Sequence, residues 1–176
     1  MKLLLTLTAL IATLNANITL PKSFESGFKQ SITSDKGNVI NYDGSVIFQN
    51  IEGARSLFKW NYLSPTKKEV CTDSIQLIVV DHDLEQVSNY RIDEGIDLVS
   101  ILDIAEKITE SDYKAKYKDT EYLITVDKKQ QLKKIIYVDN LDNGVKIIFT
   151  NMAYNKEIEI NKLECTAPQE YDIIEG

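Results

Sequence analysis

The chain runs to 176 residues and carries 27 acidic against 20 basic side chains, a formal net charge of −7. That balance argues against nucleic acid as a partner, because no basic stripe is available to neutralise phosphates. One histidine and two cysteines are too few for a metal site built on nitrogen and sulfur ligands, and 43% hydrophobic residues suit one soluble domain with a sizeable core.

Residues 1–16 read as a secretory signal peptide. Lys2 supplies the positive start, residues 3–14 carry no charge, and Ala16 is a small residue at the cleavage point. The apolar run is shorter than the ~20 residues that span a bilayer as a helix. Loss of Lys2 with the leader moves the net charge from −7 to about −8. Asn17 stands where an acylated lipoprotein would carry cysteine, so the mature domain, 17–176, is expected to be exported without a lipid anchor of its own.

At the start of the domain Phe24, Phe28 and Ile32 recur at intervals of four. This predicts a helix over residues 23–32 with one apolar face, started by Pro21. Asp35-Lys36-Gly37-Asn38 then makes a turn. Strand patterns follow at 39–42, 44–49, 57–63, 68–71, 76–80 and 86–91, with Ser64-Pro65-Thr66 as a break and Asp81-His82-Asp83 as a hairpin turn. Leu98, Ile101, Leu102, Ala105 and Ile108 return at helical spacing, predicting a second amphipathic helix over 97–108. Strands resume at 113–118, 122–126, 133–138, 145–151 and 157–160, with turns at Asp127-Lys128 and Asp142-Asn143-Gly144. No repeat or Gly/Pro-rich linker divides the chain. The fold expected is mainly β (α+β): a single domain built on one strongly curved antiparallel sheet with helices on one side.

The motifs for catalysis are missing. His82 sits between two aspartates in a turn, no G-x-S-x-G elbow accompanies it, and no phosphate-cradling glycine loop occurs, so neither a hydrolase triad nor a nucleotide cofactor is expected. Asp139-Asn140-Leu141-Asp142-Asn143-Gly144 lacks the alternating carboxylates and distal glutamate of a calcium loop and reads as a hairpin turn. The expectation is a protein that is not an enzyme and holds no cofactor or metal. Cys71 and Cys165, in an oxidising compartment, would stabilise the fold by roughly 4 kcal/mol if they paired across so long a loop. The alternative is two buried thiols that never meet.

What the chain has in abundance is apolar surface. As a strand, residues 57–62 put Phe58, Trp60 and Tyr62 on one face and Leu57, Lys59 and Asn61 on the other. The sheet adds Val46, Phe48, Leu77, Val79, Ile136, Val138 and Ile148, and the helices add Phe24, Phe28, Leu98, Ile101 and Leu102. Two readings are open. These faces pack on one another as ordinary core, or they enclose an apolar guest.

The order of several short motifs resembles the LolA family of periplasmic lipoprotein carriers. These are Phe24-x-x-x-Phe28-x-Gln30, Gly44-x-Val46-x-Phe48, Arg55-Ser56-Leu57-Phe58-Lys59-Trp60 followed by Pro65, then Asp81-His82-Asp83-Leu84-Glu85-Gln86-Val87, and finally Cys165-Thr166-Ala167-Pro168-Gln169. The resemblance implies an incomplete antiparallel barrel whose helices form a lid over an apolar cavity for acyl chains. Phe24, Phe28, Val46, Phe48, Phe58, Trp60, Tyr62, Leu98, Ile101 and Leu102 would then line the cavity or its lid, and Arg55 would latch the lid. It further implies acylated lipoproteins as cargo, an inner-membrane ABC exporter of the Lol type as donor, and an outer-membrane acceptor or the membrane itself as recipient. The carrier would be a periplasmic monomer. Aligning on Leu57, Phe58 and Trp60 puts Ala54 where the family's functional arginine stands, with Arg55 one residue later, and the proline of that element is missing. The rival expectations are a carrier of another lipid, and an interaction domain whose aromatic face is only core.

Overall fold

The computed structural model describes residues 18, 20–51, 56–73, 75–91 and 98–175. The strands are β1 (Ser23–Thr33), β2 (Val39–Asn50), β3 (Ser56–Ser64), β4 (Lys68–Thr72), β5 (Gln76–Asp81), β6 (Gln86–Arg91), β7 (Glu106–Lys107), β8 (Asp112–Tyr117), β9 (Thr120–Val126), β10 (Leu132–Val138), β11 (Gly144–Tyr154) and β12 (Asp172–Glu175). Between them lie one short α-helix, α1 (Leu98–Asp103), and one turn of 3-10 helix (Ile160–Leu163).

All twelve strands form one sheet in the order β12-β6-β5-β4-β3-β2-β1-β11-β10-β9-β8-β7. Its two edges, β12 and β7, do not pair, so the sheet is an incomplete barrel. Every neighbouring pair is antiparallel except β12 with β6. The pivot is the long β1–β2 hairpin, which continues on its other side into β11 and so joins the two halves of the chain.

Side chains alternate cleanly across this sheet. Phe24 and Phe28 of β1, Val46 and Phe48 of β2, Phe58 of β3, Ile124 of β9, and Ile147 and Phe149 of β11 point to the concave face and join a single core. Leu98, Ile101 and Leu102 of α1, with Ala105 just beyond it, are buried in the same core, so the helix lies against the concave face. Each such fully buried side chain stabilises the fold by roughly 1.5–3 kcal/mol.

Residues 23–32, expected as a helix, are strand β1. A spacing of four satisfies period two as well as 3.6, so Phe24, Phe28 and Ile32 also share one strand face with Ser26 and Gln30. Gly27, costly in a helix interior, and full pairing on both sides with β2 and β11 decide for the strand. The second helix is shorter than its expected 97–108 span. Beyond Asp103 the chain enters β7, and the turn that follows is held by the Asp112 carboxylate, which accepts from the Thr109 and Thr125 hydroxyls. Those bonds, led by Thr125, keep the Asp112 carboxyl below its ordinary range.

The expected strand at 157–160 is irregular chain leading into the 3-10 turn, and β12, which follows a turn at Pro168 closed by the Tyr171 N–H, is not among the expected strands. The inward residues of β10 and β11 are Ile135, Tyr137 and Ile147, rather than Ile136, Val138 and Ile148. The doublets Ile135-Ile136 and Ile147-Ile148 fit either parity, and a shift of one residue exchanges the faces. The other expected strands fall within two residues of their bounds, except that 39–42 and 44–49 are one continuous strand, β2, and β11 runs on past residue 151 to Tyr154. Asp139 secures the β10–β11 turn by accepting from the backbone N–H groups of Leu141 and Asn143.

Candidate functional site

The aromatic side chains on the concave face form a continuous array. Phe48 lies between Phe24 and Phe58, with ring centroids 5.1 and 4.6 Å away. Phe28 stands edge-on to both Trp60 and Tyr62 at 5.0 Å, and Trp60 reaches Phe149 at 6.2 Å. Edge-on and tilted rings at these distances attract through their quadrupoles in addition to the area they bury.

Next to this array is an apolar cavity of about 190 Å³. Strand β3 contributes Phe58, Trp60 and Tyr62, and α1 contributes Leu98. Val70 and Thr72 of β4 and Leu77 of β5 form one side; Gln30 of β1, Ile135 and Tyr137 of β10 and Ile147 of β11 form the other. The few polar groups gather together. The Tyr62 hydroxyl donates to Oε1 of Gln30 at 3.2 Å, and the Lys68 ammonium lies 4.6 Å from the centre of the Tyr62 ring. Burial, with a smaller contribution from Tyr42, pushes the Tyr62 hydroxyl up to about 12. Burial also raises Tyr137 well above its ordinary value, with Tyr122 and Tyr62 adding to it. Both phenols therefore stay protonated and neutral near pH 7.

Of the residues singled out from the sequence, Phe58, Trp60, Tyr62 and Leu98 border the cavity. Phe24, Phe28, Val46, Phe48, Ile101 and Leu102 are fully buried in the core that backs it. Arg55 lies outside the described residues. Val70, Thr72, Ile135, Tyr137 and Ile147 were not singled out from the sequence, and Gln30 stood there only as part of the first motif, with no cavity role. Their signal was positional: Val70 and Thr72 pair with Trp60 and Phe58, and Gln30 pairs with Ile147.

The convex face of β3 to β5 is covered by the C-terminal segment. Cys71 and Cys165 are joined in a disulfide with Cα atoms 5.8 Å apart. Lys59, on the face opposite Trp60, is buried there; its ammonium is 3.0 Å from Glu69 and donates to the Glu164 carbonyl at 2.8 Å. Glu69 lies beside the two sulfurs, but these are bonded to one another and offer no thiolate to a metal. His82 is half-buried, with Nδ1 3.2 Å from the Tyr171 hydroxyl. It lies in the expected turn and packs against Tyr171 of the tail.

An incomplete barrel curved round an apolar cavity, with one short helix laid across its concave face, defines an open-barrel fold with an internal cavity. The same architecture appears in a crystal structure of an uncharacterised conserved protein from Thermus thermophilus, with a TM-score of 0.55, 10% identity, and coverage of 89% of this chain and 92% of that one. The family model described as outer membrane lipoprotein carrier protein LolA matches residues 20–166, and the chain belongs to that family. Two relatives named outer-membrane lipoprotein carrier protein are similar over most of their length. The protein of Campylobacter jejuni is 32% identical over 152 residues, covering 86% of each chain. That of Helicobacter hepaticus is 30% identical over 154 residues, covering 88% of this chain and 84% of its own. The family is one of carriers rather than enzymes.

Proposed function

We propose that this protein is a periplasmic lipoprotein carrier, which shelters acyl chains in the cavity and takes its cargo from the inner to the outer membrane. The observation that carries the reading is the apolar cavity bordered by Phe58, Trp60 and Leu98 inside an open barrel of this family. Residues 1–16 serve as the export signal and 17–176 as the carrier domain. Among the described residues no helix is long and apolar enough to cross a membrane.

The energetics fit a carrier that must also let go. Each buried CH₂ contributes ~0.8 kcal/mol, so a chain of about sixteen carbons is worth on the order of 10 kcal/mol. The cavity, at about 190 Å³, is smaller than the ~300–1,000 Å³ of typical ligand pockets. Loading therefore requires α1 to move off the concave face. Exposing Leu98, Ile101 and Leu102 in that movement offsets part of the gain from the guest, which keeps transfer reversible. Phe58, Trp60, Tyr62 and Leu98 touch the acyl chain directly in this reading. Phe24, Phe28, Val46 and Phe48 form the wall behind, and Arg55 latches the lid. An inner-membrane ABC exporter of the Lol type supplies cargo and energy, and an outer-membrane acceptor or the membrane receives it. The carrier acts as a monomer and needs no catalytic group or cofactor.

The complete burial of Phe24, Phe28, Val46, Phe48, Ile101 and Leu102 also suits a domain whose aromatic face is core alone. The two readings separate when the mature protein is offered a triacylated lipoprotein without detergent. The carrier forms a soluble one-to-one complex; a plain interaction domain leaves the lipoprotein aggregated.

A further inference from the structure

The cavity has a direction. At one end Phe58, Thr72 and Leu77 are successive partners across β3, β4 and β5. At the other, Tyr62 pairs with Lys68, and Gln30 of β1 accepts the Tyr62 hydroxyl bond. Tyr137 belongs to this second end. It is 9% exposed and lines the cavity, and its hydroxyl meets no hydrogen-bond partner among the described residues. The hydroxyl is open to water in the empty cavity; a guest that fills the cavity strips that water away, and no described protein group takes its place. An apolar guest alone would leave that donor unsatisfied.

We propose that Tyr137, with Gln30 and Tyr62, forms a polar subsite for the ester carbonyls of an acylated glycerol guest, whose chains run toward Phe58 and Leu77. The proposal rests on the carrier reading and adds what the cavity recognises beyond apolar area. A carbonyl oxygen accepts from the Tyr137 hydroxyl, and the Gln30 amide N–H groups offer a second donor. The Lys68 ammonium, 4.6 Å from the Tyr62 ring centre and 5.1 Å from that of Tyr42, marks where the cavity passes to water and where the guest's polar part emerges.

The test uses a synthetic lipopeptide carrying a dipalmitoyl glyceryl group and its dialkyl ether twin, which lacks both carbonyls. A diester phospholipid and its diether form make a second pair. The expected result is that the ester lipopeptide binds the mature protein about five- to tenfold more tightly than its ether twin. Tyr137→Phe brings that ratio close to one by weakening the ester lipopeptide more than its ether twin, and Gln30→Met narrows it in part. Equal affinity of the wild-type protein for both lipopeptides, or a ratio that survives in Tyr137→Phe, overturns the subsite. Discrimination confined to the phospholipid pair overturns the lipoprotein anchor as the source of the ester. Failure of both lipopeptides to bind overturns the carrier reading itself.

Discussion

Phe28 lies directly opposite Gly44 in the β1–β2 ladder, and its ring occupies space that a side chain on Gly44 would need. A Cβ at residue 44 would run into the Asn61 carbonyl oxygen and stand 2.9 Å from the Phe28 ring. The ladder between β2 and β3 shifts register at this same point. The bare backbone lets Phe28 settle between Trp60 and Tyr62, whose rings border the cavity. Gly44→Ala should therefore destabilise the protein by about 1–3 kcal/mol, the usual cost of overpacking. Thermal melting should fall by several degrees, read by circular dichroism.

Opening the Cys71–Cys165 bond should loosen the tail and spare the cavity, because the disulfide sits on the convex face while Val70 and Thr72 face the other way. The cysteines are 94 positions apart in the chain, and removal of their bond should cost about 2–5 kcal/mol. The double variant Cys71→Ser, Cys165→Ser should show a lower urea midpoint and faster amide exchange over residues 160–175. Its capacity for acyl cargo should be retained.

Alkaline conditions should weaken the fold. Tyr62 is raised to about 12 and Tyr137 is raised further, so the folded state holds its phenolic protons more tightly than the unfolded chain does. Their contribution is complete below about pH 10, the ordinary tyrosine value, and is lost as the pH climbs through the raised values. Urea midpoints measured between pH 8 and 11 should fall at the upper end. Tyr62→Phe should flatten part of that fall.

Leu102 is fully buried on the helix that covers the concave face. Leu102→Ala should cost about 2–5 kcal/mol by the loss of buried methyl groups and the space left behind. Because the same packing holds α1 in place, uptake of a fluorescent acyl probe should speed up relative to the wild-type protein. An unchanged rate would mean that α1 does not gate the cavity.

Strands such as β8 and β9 were readable because each buries one face, so period two survives in the sequence. Segment 23–33 was misleading because Phe24, Phe28 and Ile32 fit two periods at once, and only pairing with β11, more than a hundred residues away, separates them. The cavity itself was half legible. Phe58, Trp60 and Tyr62 announce an apolar face, but the opposing wall of Ile135, Tyr137 and Ile147 depends on a parity hidden by two isoleucine doublets. Burial of Lys59 was invisible locally, since Glu69 and Glu164 reach it only after the tail folds back across β3 and β4.

Trp60 is the chain's only tryptophan and borders the cavity, so its fluorescence reports directly on what enters. The decisive measurement is titration of the mature protein with a diacylated lipopeptide whose acyl chains carry bromine, a short-range quencher. Quenching of Trp60 that saturates at one lipopeptide per protein, and is absent with the unbrominated twin, is the predicted result. A soluble complex in which Trp60 emission stays unchanged would contradict the account, since the cargo would then be held somewhere other than this cavity.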